Sequence, residues 1–367
     1  MNSKPLIPVL YYAAASFLTI ASLRLRKPAR VLSLGPIWLL SILSLTSSRY
    51  LTWPFGANST FASLVVFYLP YTVKLLVIDE NYVNPEFSSG PSSFVDCYRA
   101  WNNPRKLPLD SSLLDKKSST RESRVKFTLK KVIWAIFLWT FDSFVVQAVL
   151  FEAFSYVAVS DFAPDMEWPS LSLSSHQLLL RSVMSVQWIW SAYFFLEFSH
   201  CILGLAFVSI LGFDRPEEWP ALFGSPLEAQ NLRAFWGRFW HRVTLPTYNY
   251  YALLFCRKVF GIEPKSRLEK TLVPMLIFTM SGISHSMVGW AIGDAGLHRD
   301  ILFFQMNFLG CAVETVVRKT KAYRMVQELV PSLISGILGM VWVFGFFFCI
   351  TPSWMYPKIY YALNLVL

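Results

Sequence analysis

The run Leu272-Val-Pro-Met-Leu-Ile-Phe-Thr-Met-Ser-Gly-Ile-Ser-His-Ser-Met-Val-Gly-Trp-Ala-Ile292 is apolar or small along its length, except for one ionisable side chain, His285. A helix of about 20 such residues crosses the hydrocarbon core of a bilayer, so this run predicts a membrane-spanning helix. An ionisable group is costly in that position, roughly 2.5–3.5 kcal/mol for a charge, and usually serves a function. His285 is therefore the first candidate functional residue.

The composition of the whole chain is that of a membrane protein. The 367 residues are 54% hydrophobic and 15% charged, whereas soluble domains are about 25% charged. A weaker apolar run at 245–260 contains Asn249, Arg257 and Lys258, and we expect it to lie in the interface. Seven further runs of near-spanning length lie at about Pro5–Leu23, Val31–Thr46, Phe61–Ile78, Val132–Val159, Leu178–Leu211, Ile301–Val317 and Pro331–Ile350. We therefore predict an all-α fold, a polytopic transmembrane helical bundle of about 8–9 spans.

The positions of the basic residues predict the orientation of the spans. Of the 33 Lys and Arg residues, 27 lie in the segments 24–30, 99–131, 215–270 and 318–324, which eight spans place on one side of the membrane. By the positive-inside rule that side is cytoplasmic. Topology thus explains the net charge of +10. Because no nucleic-acid-binding motif accompanies the charge, we expect no nucleic-acid partner.

The domain organisation is predicted to be simple. We find no internal repeat and no soluble domain, so residues 1–367 are expected to form a single membrane-embedded domain. Within it, residues 81–131 are rich in Ser, Pro and basic residues, which is typical of a cytoplasmic connector near an anionic leaflet. The five cysteines have no CxxC or Cys/His spacing, so neither a disulfide framework nor a zinc site is expected.

An aromatic and basic block, Phe235-Trp-Gly-Arg-Phe-Trp-His-Arg242, follows a polar segment. If 231–242 is an interfacial helix, Arg238 and Arg242 share one face of it, and the two tryptophans share another. Two interpretations remain open from the residues alone. The block is either an anchor with snorkelling arginines, or a site where the two guanidinium groups bind phosphates.

Two histidines in predicted spans are open to a structural and a functional interpretation. The small residues around His285 indicate either close helix packing or space for a substrate beside a general base. Glu197 and His200 have the ExxH spacing of di-iron sites. Since a second ExxH is missing, we interpret them as a buried hydrogen-bonded pair.

The two histidine motifs together resemble a known family. The block Phe235–His241, the preceding Phe223-Gly-Ser-Pro-Leu227, and Ser281-Gly-Ile-Ser-His285 are similar to the wax-synthase-like branch of the membrane-bound O-acyltransferase superfamily. The resemblance is strongest to fungal members that acetylate terpenoids and meroterpenoids. It covers the C-terminal half well, whereas the N-terminal half agrees mainly in its span pattern. Phe239 departs from the pattern, because many relatives have a second Arg there.

The resemblance implies an enzyme that moves an acetyl group from acetyl-CoA to a hydroxyl of a hydrophobic terpenoid or meroterpenoid intermediate. It implies His285 as the catalytic base and His241 as its polar partner. We assign the contacts to acyl-CoA to four side chains: Arg238, Arg242, Trp236 and Trp240. No metal and no permanently bound cofactor are expected. The expected partners are acyl-CoA, a hydrophobic alcohol and membrane lipid, and the expected location is the endoplasmic reticulum.

Other functions are possible for the same sequence. A long-chain acyl-CoA wax or sterol ester synthase uses the same chemistry. A multi-span transporter or scaffold belongs to another class, but transporters usually contain internal repeats, which we do not find. An intramembrane prenyltransferase or terpene cyclase is a further alternative. The Asp-rich diphosphate-binding motifs expected of the former are missing from the sequence, and the latter usually has fewer spans.

Overall fold

The computed structural model describes residues 4–51, 56–79, 94–105, 123–170 and 173–364. Within these ranges the chain forms helices joined by turns and irregular segments, with no strand. Most of the predicted connector, residues 81–93 and 106–122, lies outside the described residues. In its described part, helix α4 covers Phe94–Trp101. The prediction of an all-α polytopic bundle is confirmed.

In the described part of the chain, seven helices are long and apolar enough to cross a membrane. They are α2 (Lys27–Tyr50), α3 (Ala57–Ile78), α5 (Arg124–Phe154), α6 (Ser175–Ile210), α9 (Arg267–Ile292), α10 (His298–Val317) and α12 (Ser332–Asn364). A shorter apolar helix, α1, covers Leu6–Ser22. Each of the eight predicted runs therefore coincides with a helix over most of its length. The largest departure is the run Val132–Val159, because its helix ends at Phe154. Several helices extend beyond their apolar runs, because hydropathy marks only the apolar part of a helix.

Three shorter helices complete the described chain. Helix α7 covers Leu232–Ala234 and continues into a π-helical turn at Phe235–Phe239. Helix α8 covers Leu245–Leu254 and continues into a π-helical turn at Phe255–Val259. Helix α11 covers Lys321–Leu329. The weak run at 245–260 is therefore helical, but it is not one of the seven spanning helices.

The ends of α9, which contains His285, are fixed by local interactions. The Ser266 side chain accepts a hydrogen bond from the Glu269 N–H at 3.1 Å and so caps the first turn. At the other end, Gly293 has a φ of 88°, in the left-handed region that favours glycine, and its N–H donates to the Gly289 carbonyl at 3.0 Å. His285 consequently lies well inside a regular helix.

The chain packs into two compact units. The first unit comprises Met1–Thr120, Val243–Val273 and Ile283–Asp294. The second unit comprises Arg121–Arg242, Pro274–Gly282 and Ala295–Leu367. Helix α9 thus contributes its middle to the second unit and both ends to the first. The expectation of one membrane-embedded domain stays a prediction.

Each unit has its own buried apolar core. In the first unit, Val288 and Ala291 of α9 pack with Leu45, Ala62 and Val65 of α2 and α3. The second unit has a larger, mainly aromatic core, formed by Trp188, Phe223, Leu232, Phe235, Phe239, Phe303, Phe304, Val343, Phe347 and Ile350. Large apolar side chains also face outward, as a helix in contact with lipid requires, for example Phe144 and Phe151 of α5.

Candidate active site

The aromatic and basic block directly follows α7, whose first backbone N–H groups are held by two side chains. The Asn231 side-chain oxygen accepts from the Ala234 N–H at 2.9 Å. The Glu314 carboxylate of α10 accepts from the N–H groups of Leu232 and Arg233 at 3.3 and 3.4 Å. The first N–H groups of a helix have no partner within it, and negative charge near them is stabilising. Glu314 therefore fixes α7, the helix that leads into the block, to α10.

The helix of the block ends earlier than the sequence predicted. After the π-helical turn the chain becomes extended at Trp240, with a ψ of 149°, and the Trp240 N–H donates to the Phe235 carbonyl at 2.8 Å. Arg238 and Arg242 therefore do not share a helical face, and that prediction is wrong. Periodicity alone does not distinguish an α-helix from a π-helical turn followed by extended chain. Both arginines are exposed, and Arg242 donates to the Gly237 carbonyl.

The two tryptophans of the block are fixed by direct contacts. The rings of Trp236 and Trp240 lie 5.4 Å apart in an edge-to-face arrangement. The Trp236 indole N–H donates to the Asn307 side-chain oxygen at 3.1 Å. Asn307 is fully buried, and its amide nitrogen donates to the Phe303 carbonyl at 2.8 Å. The orientation of Trp236 is thus determined by a buried amide on α10.

Trp188 of α6 packs against the same rings. Its ring centroid lies 5.1 Å from that of Trp240, 6.1 Å from Phe235 and 6.3 Å from Trp236. Aromatic pairs at these separations are stabilising beyond the area that they bury. The block is therefore a rigid part of the aromatic core of the second unit.

The segment before the block is held by a buried carboxylate and by a glycine. Glu197 of α6 accepts from the N–H groups of Leu222 and Phe223 at 3.0 and 3.3 Å. The Gly224 N–H donates to the Phe239 carbonyl at 2.8 Å. These bonds bring the two parts of the sequence motif against each other.

Glu197 and His200 do not form part of a metal cluster. Glu197 holds backbone N–H groups, while the His200 ring nitrogen lies 3.1 Å from the Lys131 amine and 3.8 Å from the Glu197 carboxylate. Among the described residues, no group of three or more His, Cys, Asp or Glu side chains could hold a metal ion. Both residues are buried as predicted, but their separation of 3.8 Å is longer than a hydrogen bond, so the prediction of a hydrogen-bonded pair is wrong. Each side chain bonds to another part of the chain, since Glu197 accepts from the backbone and His200 contacts Lys131.

His241 lies near the end of the block, in its extended part, and is partly buried. Its ring centroid lies 5.3 Å from that of Trp240 and 5.5 Å from that of Phe223. The imidazole is therefore positioned between the block and the segment before it. A ring held in this way has few alternative rotamers, as a positioned polar group requires.

His285 lies on α9 in the first unit and is exposed. The preceding residue, Ser284, shares a hydrogen bond of 2.6 Å with the Tyr248 hydroxyl of α8. Tyr248 is only 4% exposed. Burial raises the pKa of its phenol, and the hydrogen bond with Ser284 opposes that rise. The tyrosine is therefore a neutral phenol at physiological pH, and it fixes the turn of α9 that presents His285.

The small residues near His285 allow close helix packing at one position at least. A Cβ atom on Gly282 would lie 2.7 Å from the Ile301 Cα atom of α10, closer than real Cβ atoms approach. The close-packing interpretation is confirmed for this glycine. The interpretation that the small residues also leave space for a substrate stays a prediction.

The predicted site residues are divided between the two units. His285 belongs to the first unit, and the second unit contains the other five: Trp236, Arg238, Trp240, His241 and Arg242. Each set is ordered within its own unit by the contacts above. The catalytic and binding roles of all six stay predictions.

Sequence reasoning missed four residues that position the site: Trp188, Tyr248, Asn307 and Glu314. Asn307 and Glu314 lie inside the apolar run Ile301–Val317, where a polar side chain is itself a sign of a structural or functional role. Trp188 and Tyr248 lie among many other aromatic residues. No sequence signal distinguishes those two.

Comparison with known proteins supports the resemblance. Residues 219–306 match the membrane bound O-acyl transferase family. The chain is also 31% identical over 201 residues to acetyltransferase nanB from Aspergillus nanangensis, which covers 53% of this chain and 47% of that protein. The predicted family resemblance is confirmed.

Two further relatives are also named as acetyltransferases and have similar coverage. Acetyltransferase ataH from Aspergillus terreus is 29% identical over 172 residues, 46% of this chain and 55% of its own. Acetyltransferase TRI7 from Fusarium sporotrichioides is 25% identical over 202 residues, 53% of this chain and 45% of its own. The chain spans about half the length of the curated relatives it matches. No solved structure matches this chain.

Proposed function

We propose that this protein is a membrane-embedded O-acetyltransferase that moves an acetyl group from acetyl-CoA to a hydroxyl of a hydrophobic terpenoid or meroterpenoid. One observation carries the proposal: the family match over 219–306 contains both candidate histidines, His241 and His285. The relatives named acetyltransferase support acetyl as the transferred group. The seven spanning helices fit an acceptor that dissolves in the bilayer.

The chemistry needs one base and one polar partner. His285 takes the proton of the alcohol while the alcohol oxygen attacks the thioester carbonyl, a role that contributes about 10²–10⁴-fold. His241 donates a hydrogen bond to the developing oxyanion. The new C–O bond forms as the C–S bond breaks, and CoA leaves as a thiolate that takes up the proton. Neither a metal ion nor a covalent enzyme intermediate takes part in these steps.

The donor contacts are assigned to the block. Arg238 and Arg242 are both exposed, and guanidinium groups bind phosphates through strong charge-assisted hydrogen bonds. We assign Trp236 and Trp240 of the same block as further contacts to the donor. Because these arginines do not share a helical face, we assign them to different phosphate groups of acetyl-CoA.

The test is acetyl transfer by membranes that contain the full chain, supplied with radiolabelled acetyl-CoA or palmitoyl-CoA and a panel of terpenoid, sterol and fatty alcohols. His285→Ala is expected to abolish ester formation. His298→Ala, an exposed histidine of the same matched segment, is the control and is expected to keep wild-type activity. Full activity of His285→Ala at equal expression contradicts the mechanism. Ester formed only from palmitoyl-CoA identifies a wax or sterol ester synthase instead, and no ester from either donor rejects acyl transfer.

A second experiment separates donor binding from anchoring. Arg238→Ala is expected to raise the KM for acetyl-CoA and leave that for the alcohol unchanged. Arg233→Ala, an exposed arginine on α7, is the matched control. An equal rise of both KM values for Arg238→Ala indicates an anchor and not a phosphate contact.

We place the enzyme in the endoplasmic reticulum, with the block on the cytoplasmic side, where acyl-CoA is available. The distribution of Lys and Arg between the loops supports this orientation. A fluorescent fusion that fails to overlap with a marker of the endoplasmic reticulum contradicts this location.

A further inference from the structure

Three helices of the second unit meet at Trp354 of α12. Its ring stacks on Phe303 of α10, with centroids 4.2 Å apart, and lies edge-on to Trp188 of α6 at 6.0 Å. Its indole N–H donates to Asp300 Oδ1 at 2.7 Å. The same oxygen accepts from the Lys358 amine at 2.8 Å. Asp300 is therefore fixed by two donors on one of its oxygens.

Three buried polar atoms around Trp354 have no hydrogen-bond partner among the described residues: Asp300 Oδ2, Trp188 Nε1 and Thr351 Oγ1. Their residues are 1%, 8% and 0% exposed. Asp300 and Trp188 contact the Trp354 ring, and Thr351 lies one helical turn before Trp354 on α12. Buried polar atoms in native proteins are nearly always paired, so these three need an explanation. We call Asp300, Trp188 and Thr351 the Trp354 cluster.

The members of the cluster are connected through the side chain of Trp354. Asp300 accepts a hydrogen bond from the Trp354 indole N–H, and Trp188 contacts the Trp354 ring. Thr351 lies on the same face of α12, since Phe347, Thr351 and Trp354 follow one another at helical spacing. Phe347 in turn lies 5.1 Å from the Trp188 ring. The three unpaired atoms therefore come from three helices that pack around one side chain.

The Trp354 cluster also contacts the aromatic and basic block directly, through Trp188. Trp188 contacts Trp354 on one side and Trp240 on another, at 5.1 Å. Trp240 directly precedes His241. A hydrophobic molecule in this core would thus lie among aromatic rings that continue to the predicted acetyl-CoA residues.

We propose that the Trp354 cluster binds a second oxygen function of the acceptor, so that the preferred acceptors are hydrophobic diols or polyols. The proposal rests on the proposed acetyltransferase function. A carboxylate oxygen only accepts hydrogen bonds and an indole N–H only donates them. A hydroxyl group of the ligand can donate to the carboxylate or accept from the indole N–H, and the Thr351 hydroxyl serves as either donor or acceptor.

A purely structural role explains only part of these observations. Asp300 Oδ1 neutralises Lys358 and orients Trp354, but Oδ2 takes no part in either bond. The Trp188 ring is needed for packing, yet a phenylalanine packs without an unpaired N–H. Since we assign deprotonation to His285, the oxygen that the cluster holds is not the one that is acetylated.

The experiment compares matched alcohols in the full-length protein. The probes are p-menthane-3,8-diol with menthol, and betulin with lupeol; in each pair the mono-alcohol lacks one hydroxyl of the diol. The wild-type protein is expected to show a higher kcat/KM for the diol of at least one pair. Equal kcat/KM values for diol and mono-alcohol in both pairs, with both acetylated, overturn the proposal and leave the acetyltransferase function intact.

The variants test the cluster itself. Asp300→Asn removes the counter-ion of Lys358 and destabilises the fold, so Thr351→Val is the informative change, because it removes only an unpaired hydroxyl. Thr351→Val is expected to raise the KM for the preferred diol about three- to tenfold, the loss of one hydrogen bond. The KM values for the mono-alcohol and acetyl-CoA should not change, and Thr351→Ser should restore the diol KM. Thr315→Val removes a hydroxyl that is bonded to the Cys311 carbonyl, and it is the control.

Binding provides a readout that does not depend on transfer. The diol is expected to raise the unfolding temperature of the purified wild-type protein more than the mono-alcohol does, and Thr351→Val should remove this difference. If no alcohol is acetylated but the difference is present, the acetyltransferase function fails and the binding site stands. If Thr351→Val and wild type respond equally to the diol in both assays, the proposal is wrong.

Discussion

Gly224 provides a sharp test of how the block is held. A Cβ atom at this position would overlap the Arg238 carbonyl oxygen and lie 3.1 Å from a Glu228 carboxylate oxygen. The backbone oxygen is not the end of a flexible side chain, so it can move only with the turn that contains it. Gly224→Ala should therefore displace the turn and break the bond from the Gly224 N–H to the Phe239 carbonyl. Gly237 lies in the same block, but a Cβ there meets nothing within 4 Å.

The two substitutions should change the free energy of unfolding in opposite directions. In Gly224→Ala, the lost hydrogen bond costs about 1 kcal/mol, and the overpacking costs about 1–3 kcal/mol. The smaller entropy of the unfolded chain offsets about 0.4–1 kcal/mol. Gly237→Ala adds a better helix former in a helical turn and should stabilise by about 0.5–1 kcal/mol. The expected difference between the variants is therefore about 2–4 kcal/mol.

The assay is thermal unfolding of the purified full-length proteins in the same detergent, followed by exposure of the buried cysteines to a thiol-reactive dye. With a shift of about 2–4 °C per kcal/mol, Gly224→Ala should unfold roughly 4–16 °C below Gly237→Ala. Gly224→Ala should also raise the KM for acetyl-CoA, because Arg238 moves with its carbonyl group. Equal unfolding temperatures would refute the close contact, and an unchanged KM would separate the turn from acetyl-CoA binding.

Three other substitutions test single contacts. Tyr248→Phe removes the hydrogen bond to Ser284 and should cost about 1 kcal/mol, with a lower kcat and an unchanged KM for acetyl-CoA in transfer assays. Glu314→Ala leaves two backbone N–H groups unpaired and should lower the free energy of unfolding by about 2–4 kcal/mol, measured by denaturant titration, while Glu314→Gln should lose less. Asn307→Leu leaves the Trp236 N–H unpaired and should lower the free energy of unfolding by about 1–3 kcal/mol. Adding Trp236→Phe should recover part of this loss. Strictly additive effects of the two substitutions would contradict the hydrogen bond.

The helices of this protein could be predicted from the sequence because membrane spans depend on local composition. The eight apolar runs coincide with helices over most of their length, and the weak run with Arg257 and Lys258 forms a helix that is not among the spans. The ends of the helices were predicted less accurately than their existence. The run at 31–46 belongs to a helix that covers Lys27–Tyr50, because its basic and serine-rich ends are helical without being apolar.

The geometry of the candidate site depends on partners that are distant in sequence, which no local pattern reveals. Glu314 bonds to Leu232 across 82 residues, and Asn307 bonds to Trp236 across 71 residues. The end of the helix at Phe239 likewise follows from packing. Gly224 lies against the Arg238 carbonyl, and its N–H donates to the Phe239 carbonyl. The motif therefore predicted which residues matter, while their arrangement required the fold.

Three of the buried carboxylates of the second unit, those of Glu197, Asp300 and Glu314, have different consequences for function. Irregular backbone inside a buried core needs hydrogen-bond acceptors, because unpaired N–H groups are costly there. Glu197 meets this need for Leu222 and Phe223, and Glu314 meets it for the start of α7. Those two carboxylates are therefore committed to the backbone that surrounds the block. Asp300 holds only side chains and retains one oxygen without a partner in the described chain. Of the three, Asp300 is consequently the carboxylate that a ligand can use without dismantling the fold.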